Sequence, residues 1–247
     1  MIHLGALCDD YYINMTLNTE MELATTRESL LHFFEQMHRR FPAMHCFYAR
    51  DRDEYVLEED KDRGSYRWCS IEPNRISSGY VNPESVELAM EQHRVVLELI
   101  PYELTVTPLD CGALDLLFGF DYTYRGNHNE LVAEALGLPP AYENLLSLPG
   151  ARIVNYEPSL TIALDADCRL QCRVAIETRT NAYNIRTEDY PEDQLSVYVT
   201  ARHYGSLPHN TSFVDVLRKL QEMCVLLLER HVVDQILRPL ARTIACK

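Results

Sequence analysis

The sequence predicts an α+β fold: a mostly antiparallel sheet with helices packed on one face. Three observations predict it. Leu114, Leu116, Phe118, Phe120, Tyr122 and Tyr124 occupy every second position of one run, the period of a strand with one buried face. Val214, Leu217, Leu220, Cys224, Leu227, Leu228 and Val232 recur at helical spacing near the C-terminus. Finally, similar element orders follow one another, β-α-β-β-α before residue 108 and β-α-β-β-β-α from 109 onward. No residue-level repeat accompanies that order, so a duplicated β-α-β-β-α unit rests on element order alone. The chain, 247 residues, reads as a single compact unit, 1–247, with structural halves 1–108 and 109–247.

Each element has a local reason. Tyr11 to Leu17 alternates and is rich in β-formers, so it reads as a strand. Thr25 and Glu28 stand at capping-box spacing ahead of Leu30, Leu31, Phe33, Phe34, Met37 and Phe41, an apolar helical stripe that ends at Pro42. His45–Tyr48 and Tyr55–Leu57 suggest an extended arm, which turns in 59–64 and returns over Ser65–Ile71 through the only tryptophan, Trp68. Asn82-Pro83 opens a second helix, since proline fits a first turn where its missing N–H is not needed. A linker follows around Pro101–Pro108, then the aromatic strand. Asn129 is placed to cap a short helix over Glu130–Leu136, closed by Gly137. Strands over Arg152–Leu164, Arg169–Thr180 and Leu195–Tyr204 precede a helix from about Ser212 to Val233.

Composition narrows the functional classes. There are 23 Lys+Arg against 37 Asp+Glu, a formal charge of −14. That charge disfavours double-stranded nucleic acid, whose phosphates need net positive patches. No apolar run approaches the roughly 20 residues of a membrane span. Most of the acidic excess falls in residues 1–124, concentrated in 51–54 and 58–62, where it reads as a solvated hairpin rim or a patch for a basic partner. Eight cysteines are too few for a disulfide scaffold, and Cys46, Cys69, Cys168, Cys172 and Cys224 sit in apolar segments, as reduced thiols do. The expected protein is cytoplasmic, with all eight thiols free.

The succession of a strand, a helix ending in Phe41-Pro42, a hairpin, Tyr66-Arg-Trp68, a second helix and the aromatic strand Phe118–Tyr124 resembles an uncharacterised bacterial family of sporadic distribution. Phe120-Asp-Tyr-Thr123 stands where that family carries Arg-Tyr-x-Asn. The resemblance implies a fold and no chemistry.

No local motif specifies a reaction. Cys168 and Cys172 would lie about 13 Å apart on a strand, too far for one metal ion. There is no C-x-x-C, H-E-x-x-H, G-x-S-x-G or glycine-rich phosphate loop, so neither metal nor cofactor is expected. Asp115 and Asp121 share one face of the aromatic strand but stand roughly 20 Å apart, beyond the reach of a carboxylate dyad.

The outward faces of two strands are more informative. If Leu170, Cys172, Val174 and Ile176 face the core, then Arg169, Gln171, Arg173, Glu177 and Arg179 face away. In the same way Leu195, Val197, Val199 and Ala201 leave Ser196, Tyr198, Thr200, Arg202 and Tyr204 outward. Arginine and tyrosine suit anionic or planar ligands, although ordinary antiparallel sheets also expose them. The expected function is therefore a non-catalytic ligand- or protein-binding module. Its candidate binding residues are Asp121, Arg173, Glu177, Arg179, Tyr198, Arg202 and Tyr204. The alternative is an enzyme whose site gathers Asp121, Arg173, Glu177 and His203 in a sheet/helix cleft. The partner's identity is unspecified, and a homodimer is left open. On this reading Arg173→Ala and Arg202→Ala change stability by no more than about 0.5 kcal/mol, whereas Val174→Ala and Val197→Ala cost about 1–3 kcal/mol.

Overall fold

A computed structural model describes residues 4–51, 53–208 and 210–247. Nine strands form one antiparallel sheet: β1 (Asp10–Thr19), β2 (Cys46–Asp51), β3 (Glu54–Glu58), β4 (Tyr66–Glu72), β5 (Arg75–Val81), β6 (Cys111–Tyr124), β7 (Ser159–Ala163), β8 (Leu170–Glu177) and β9 (Asp193–Tyr204). Their spatial order is β2-β3-β4-β5-β1-β6-β9-β8-β7. The helices are α1 (Arg27–Arg40), α2 (Val86–Glu103), α3 (His128–Leu136), α4 (Pro140–Glu143), α5 (Ala182–Thr187), α6 (Phe213–Leu227) and α7 (Arg238–Ala245). A wider π-helical stretch, Leu228–Leu237, joins α6 to α7 without a break. In each half the first strand lies beside the centre, a helix leads outward, and an antiparallel meander returns next to that first strand.

The core lies between one sheet face and α2 and α6. Ile13, Met15 and Leu17 of β1, the even positions of β6 from Leu114 to Tyr122, and Leu195, Val197, Val199 and Ala201 of β9 are all buried there. Period-two alternation sends the intervening side chains to the opposite face, which no helix of the described residues covers. β8 and β9 pair from Leu170↔His203 to Glu177↔Ser196 with no bulge, so the alternation is kept throughout. Val197 is fully enclosed, but Val174 is only half-buried beside an open groove, so the two valines are not equivalent.

Several boundaries differ from expectation, some through local capping and some through tertiary hydrogen bonding. Thr26 rather than Thr25 caps α1, and its reciprocal partner is Ser29, not Glu28. α2 begins at Val86 under a Ser85 cap, while Asn82 takes φ 46° and accepts the Tyr11 N–H at 2.9 Å. Asparagine tolerates that left-handed geometry, and here it ties β5 to β1. The helix then continues through Pro101 to Glu103, where a linker was expected. Asn127 caps α3; Asn129 is instead fully buried, donating to the carbonyls of Val154 and Thr180 and accepting the Tyr156 N–H. Those bonds hold residues 151–158 as a loop, which shortens the expected strand to Ser159–Ala163.

β5 is an additional strand. Its Ser77-Ser78-Gly79 centre has weak strand propensity, yet a side chain at Gly79 would collide with Trp68 and Asn14, which fill the space above it. The expected arm over residues 45–57 is itself a hairpin of two strands, β2 and β3, so the first half is β-α-β-β-β-β-α. Cys168, expected in an apolar strand, is exposed at φ 56° in the turn before β8. None of the eight cysteines is paired, and Cys69, Cys111, Cys172 and Cys224 are buried, which raises each thiol above its ordinary range.

His93 of α2 is fully buried and shares a 2.6 Å hydrogen bond between Nδ1 and Ser78 Oγ. Burial pulls its pKa down from 6.5 to about 3. The unfolded chain takes up this proton near pH 6.5 and the folded chain only near 3. Stability is therefore complete above the higher value and falls between the two, by up to about 1.4 kcal/mol per pH unit. Urea unfolding at successive pH values should show a shallower acid limb for His93→Gln than for the natural chain; identical limbs would contradict this.

Candidate functional site

The uncovered sheet face is built from cross-strand rows. One runs Tyr12–Gly119–Tyr198–Ala175, another Asn14–Leu117–Thr200–Arg173–Thr161, and a third Thr16–Asp115–Arg202–Gln171. Glycine and alanine beside the tyrosines in the first row leave room for two rings. The Tyr12 ring lies over Gly119, where a methyl group would overlap it. Together these rows floor a concave cavity of about 580 Å³, lined among others by Tyr12, Asn14, Arg173, Glu177, Tyr198 and Arg202.

Two polar clusters stand on this face. In the first, Asp115 and Arg202 form a bidentate pair: Nε donates to Oδ1, and Nη2 donates to Oδ2 at 2.6 Å. Arg202 Nη1 also donates to the Tyr204 hydroxyl at 2.9 Å, and the guanidinium lies over the Tyr204 ring. Asp115 is almost fully buried, so Arg202 supplies the charge that makes this burial tolerable. Sequence periodicity treats Arg202 as a plain surface residue; its register opposite Asp115 makes it structural.

The second cluster surrounds Asp121, which is 8% exposed and whose Oδ1 has no hydrogen-bond partner. Burial pushes its carboxyl above the usual carboxylate range; the neighbouring Asp10 adds to the shift, while Ser196, Arg179 and Tyr12 oppose it. The Tyr12 hydroxyl is likewise held above its ordinary value, first by burial and then by the Asp121 charge. Arg179 follows β8, pairs with Glu177 at 3.4 Å and reaches Tyr198. Its backbone N–H is held by buried His128 at 3.3 Å.

Arg173 differs from both other arginines. It is exposed, donates from Nε to Ser159 Oγ at 3.1 Å, and has no acidic partner among the described residues. It is thus the uncommitted positive charge of the cavity. Asn14 Oδ1 is buried without a partner, but it lies over Gly79 beside Trp68, on the β5 side of β1.

All seven candidate residues belong to this face or its rim: Asp121, Arg173, Glu177, Tyr198, Arg202 and Tyr204 on the strands, Arg179 just beyond them. His203 does not. It pairs with Leu114 and Leu170 on the helix-facing side, and burial together with Arg169 and Lys219 lowers its pKa. The expected Asp121–Arg173–Glu177–His203 constellation is therefore divided between two faces, because position 203 has the parity of Val197 and Val199. Tyr12, Asn14 and Trp68 were missed as face residues. The polar parity of Tyr12, Asn14, Thr16 and Asn18 was visible in the sequence, but the neighbour of their strand was not.

Among the described residues no cluster of three or more His, Cys, Asp or Glu side chains is arranged to hold a metal ion, and no helix is long and apolar enough to cross a membrane. No protein-family model matches the chain, and no curated protein is significantly similar to it.

The two exposed-looking arginines should separate in a stability assay. Arg173→Ala is expected to stay within about 0.5 kcal/mol of the natural chain. Arg202→Ala strands the Asp115 carboxylate and should cost about 1–3 kcal/mol, with partial recovery in Arg202→Ala/Asp115→Asn. Equal denaturant midpoints for the two single variants would refute the pairing's structural role.

Proposed function

We propose that this chain is a cytoplasmic, non-catalytic ligand-binding module whose site is the open Arg/Tyr sheet face. The observation that carries this reading is the cavity of about 580 Å³ with Arg173 at its wall, a guanidinium that no acidic group among the described residues pairs. That volume lies within the range of small-molecule sites. A protein partner is the less favoured occupant, since the surface is concave. The ligand class follows from the lining. Arg173 supplies an anion anchor, and Tyr12 and Tyr198 supply flat surfaces on either side of Gly119. A planar molecule carrying a carboxylate or phosphate satisfies both.

The second reading is an enzyme, favoured by one observation: the Asp121 carboxyl, raised above its usual range, beside Tyr12 and Arg179 with one oxygen unpartnered. This version uses no histidine.

Thermal unfolding with mononucleotides, aromatic carboxylates and their neutral counterparts separates these readings. Saturating a site at a hundred times Kd stabilises by roughly 2.7 kcal/mol. The expected result is stabilisation by anionic planar compounds alone, lost in Arg173→Gln and Tyr198→Ala and kept in Asp121→Asn. No Arg173-dependent response anywhere in the panel removes the binding reading. Turnover of a bound compound that Asp121→Asn abolishes establishes the enzyme instead.

A further inference from the structure

The two edges of the sheet are built differently. At one edge β2 carries a register irregularity between Ala49 and Asp51, and Arg50 is paired with Glu54. Bulges and charges are the usual means of keeping an edge from pairing with another chain. At the other edge β7 reads Ser-Leu-Thr-Ile-Ala, regular against β8 throughout. Residues 158–164 contain no ionisable side chain, in a chain of charge −14.

The hydrogen-bond phase of β7 is equally specific. The Ile176 N–H donates to Pro158 O, and the Leu164 N–H donates to Leu170 O. Even-numbered residues of β7 therefore bond to β8, and the N–H and C=O of Ser159, Thr161 and Ala163 point outward, as antiparallel alternation requires. On the helix side of the same strand, Leu160 is 67% exposed and Ile162 40%. They border an apolar groove of about 370 Å³ floored by Cys172, Val174 and Ile176 and walled by the π-helical stretch through Val232 and Ile236.

We propose that β7 is a homodimer interface, in which a second copy of this chain adds its own β7 antiparallel to the free edge. The segment is self-complementary. With Thr161 opposite Thr161 of the second copy, Leu160 of each chain faces Ile162 of the other over the mouth of the groove. Ser159 faces Ala163 on the open side, and every outward N–H and C=O of the three odd residues meets a partner. Charge selects the occupant too: two copies at −14 repel each other except where they meet on a neutral surface, and this edge is neutral. The two sheets become one continuous sheet, and both ligand cavities open on the same surface, each reaching the interface through Thr161.

Sedimentation equilibrium of the full chain over a hundredfold concentration range tests this, with far-UV circular dichroism as the folding control. The natural chain should have twice the chain mass at the upper end. Thr161→Pro removes an outward donor without touching the β8 ladder, and Ile162→Lys places a charge at an already exposed position; both should be monomeric with unchanged dichroism. Amide exchange gives a readout that needs no variant: the Ser159, Thr161 and Ala163 amides should be protected at high concentration and lose that protection on dilution. A monomer at every concentration overturns the proposal. So does a dimer that persists in both variants, and so do amides whose exchange ignores concentration.

Discussion

The antiparallel pairing of β1 with β6, running from Asp10↔Asp121 to Leu17↔Leu114, joins the two halves of the chain. Each strand opens its own half, and each has its own meander on the far side. Because side chains alternate with period two, this register decides at once which residues of both halves are buried. Ile13 is set against Phe118 and Met15 against Leu116 on the helix side, while Tyr12 covers Gly119 on the other. A slip by one residue would put Asp115 and Asp121 into the layer occupied by Phe118 and Phe120. The penalty for burying unpaired carboxylates there makes the register effectively unique.

Polar groups that the register buries are mostly satisfied by partners remote in sequence. Asp115 depends on Arg202, Asn129 on the loop 151–158, and Ser78 on His93. These pairings convert ordinary polar residues into structural ones. Among the described residues the exceptions lie on both faces: Asp121 Oδ1 and Asn14 Oδ1 on the uncovered one, and Gln92 Oε1, His93 Nε2, His203 Nδ1 and Arg67 Nε elsewhere. In the second half, remote partners also hold the loop after β8: Glu157 accepts the Thr178 N–H and His128 the Arg179 N–H.

The unequal edges give the molecule a direction. One end of the sheet is irregular and charged, the other regular and neutral, and the π-helical widening of the C-terminal helix sits over the neutral end. The cavity lies off centre, over β1, β6, β9 and β8, closer to the neutral edge. Ligand binding and self-association would therefore involve neighbouring strands.

Strand parity and helical spacing, both local properties, were enough to determine the α+β class, the inward sets of β6, β8 and β9, and the shared face of Arg173, Tyr198 and Arg202. Parity also contained the error over His203, which belongs with Val197 and Val199. What only the tertiary structure decided was partnership. That Arg202 is neutralised while Arg173 is free depends on β9 lying between β6 and β8. That Asn129 anchors a loop rather than capping a helix depends on the path of residues 151–158. That β5 exists at all, through a weak Ser-Ser-Gly centre, depends on β1 and β4 offering backbone partners on both sides. Local sequence specifies how a segment can bury its own side chains; which distant groups meet those left outside is set by strand order, which no local pattern encodes.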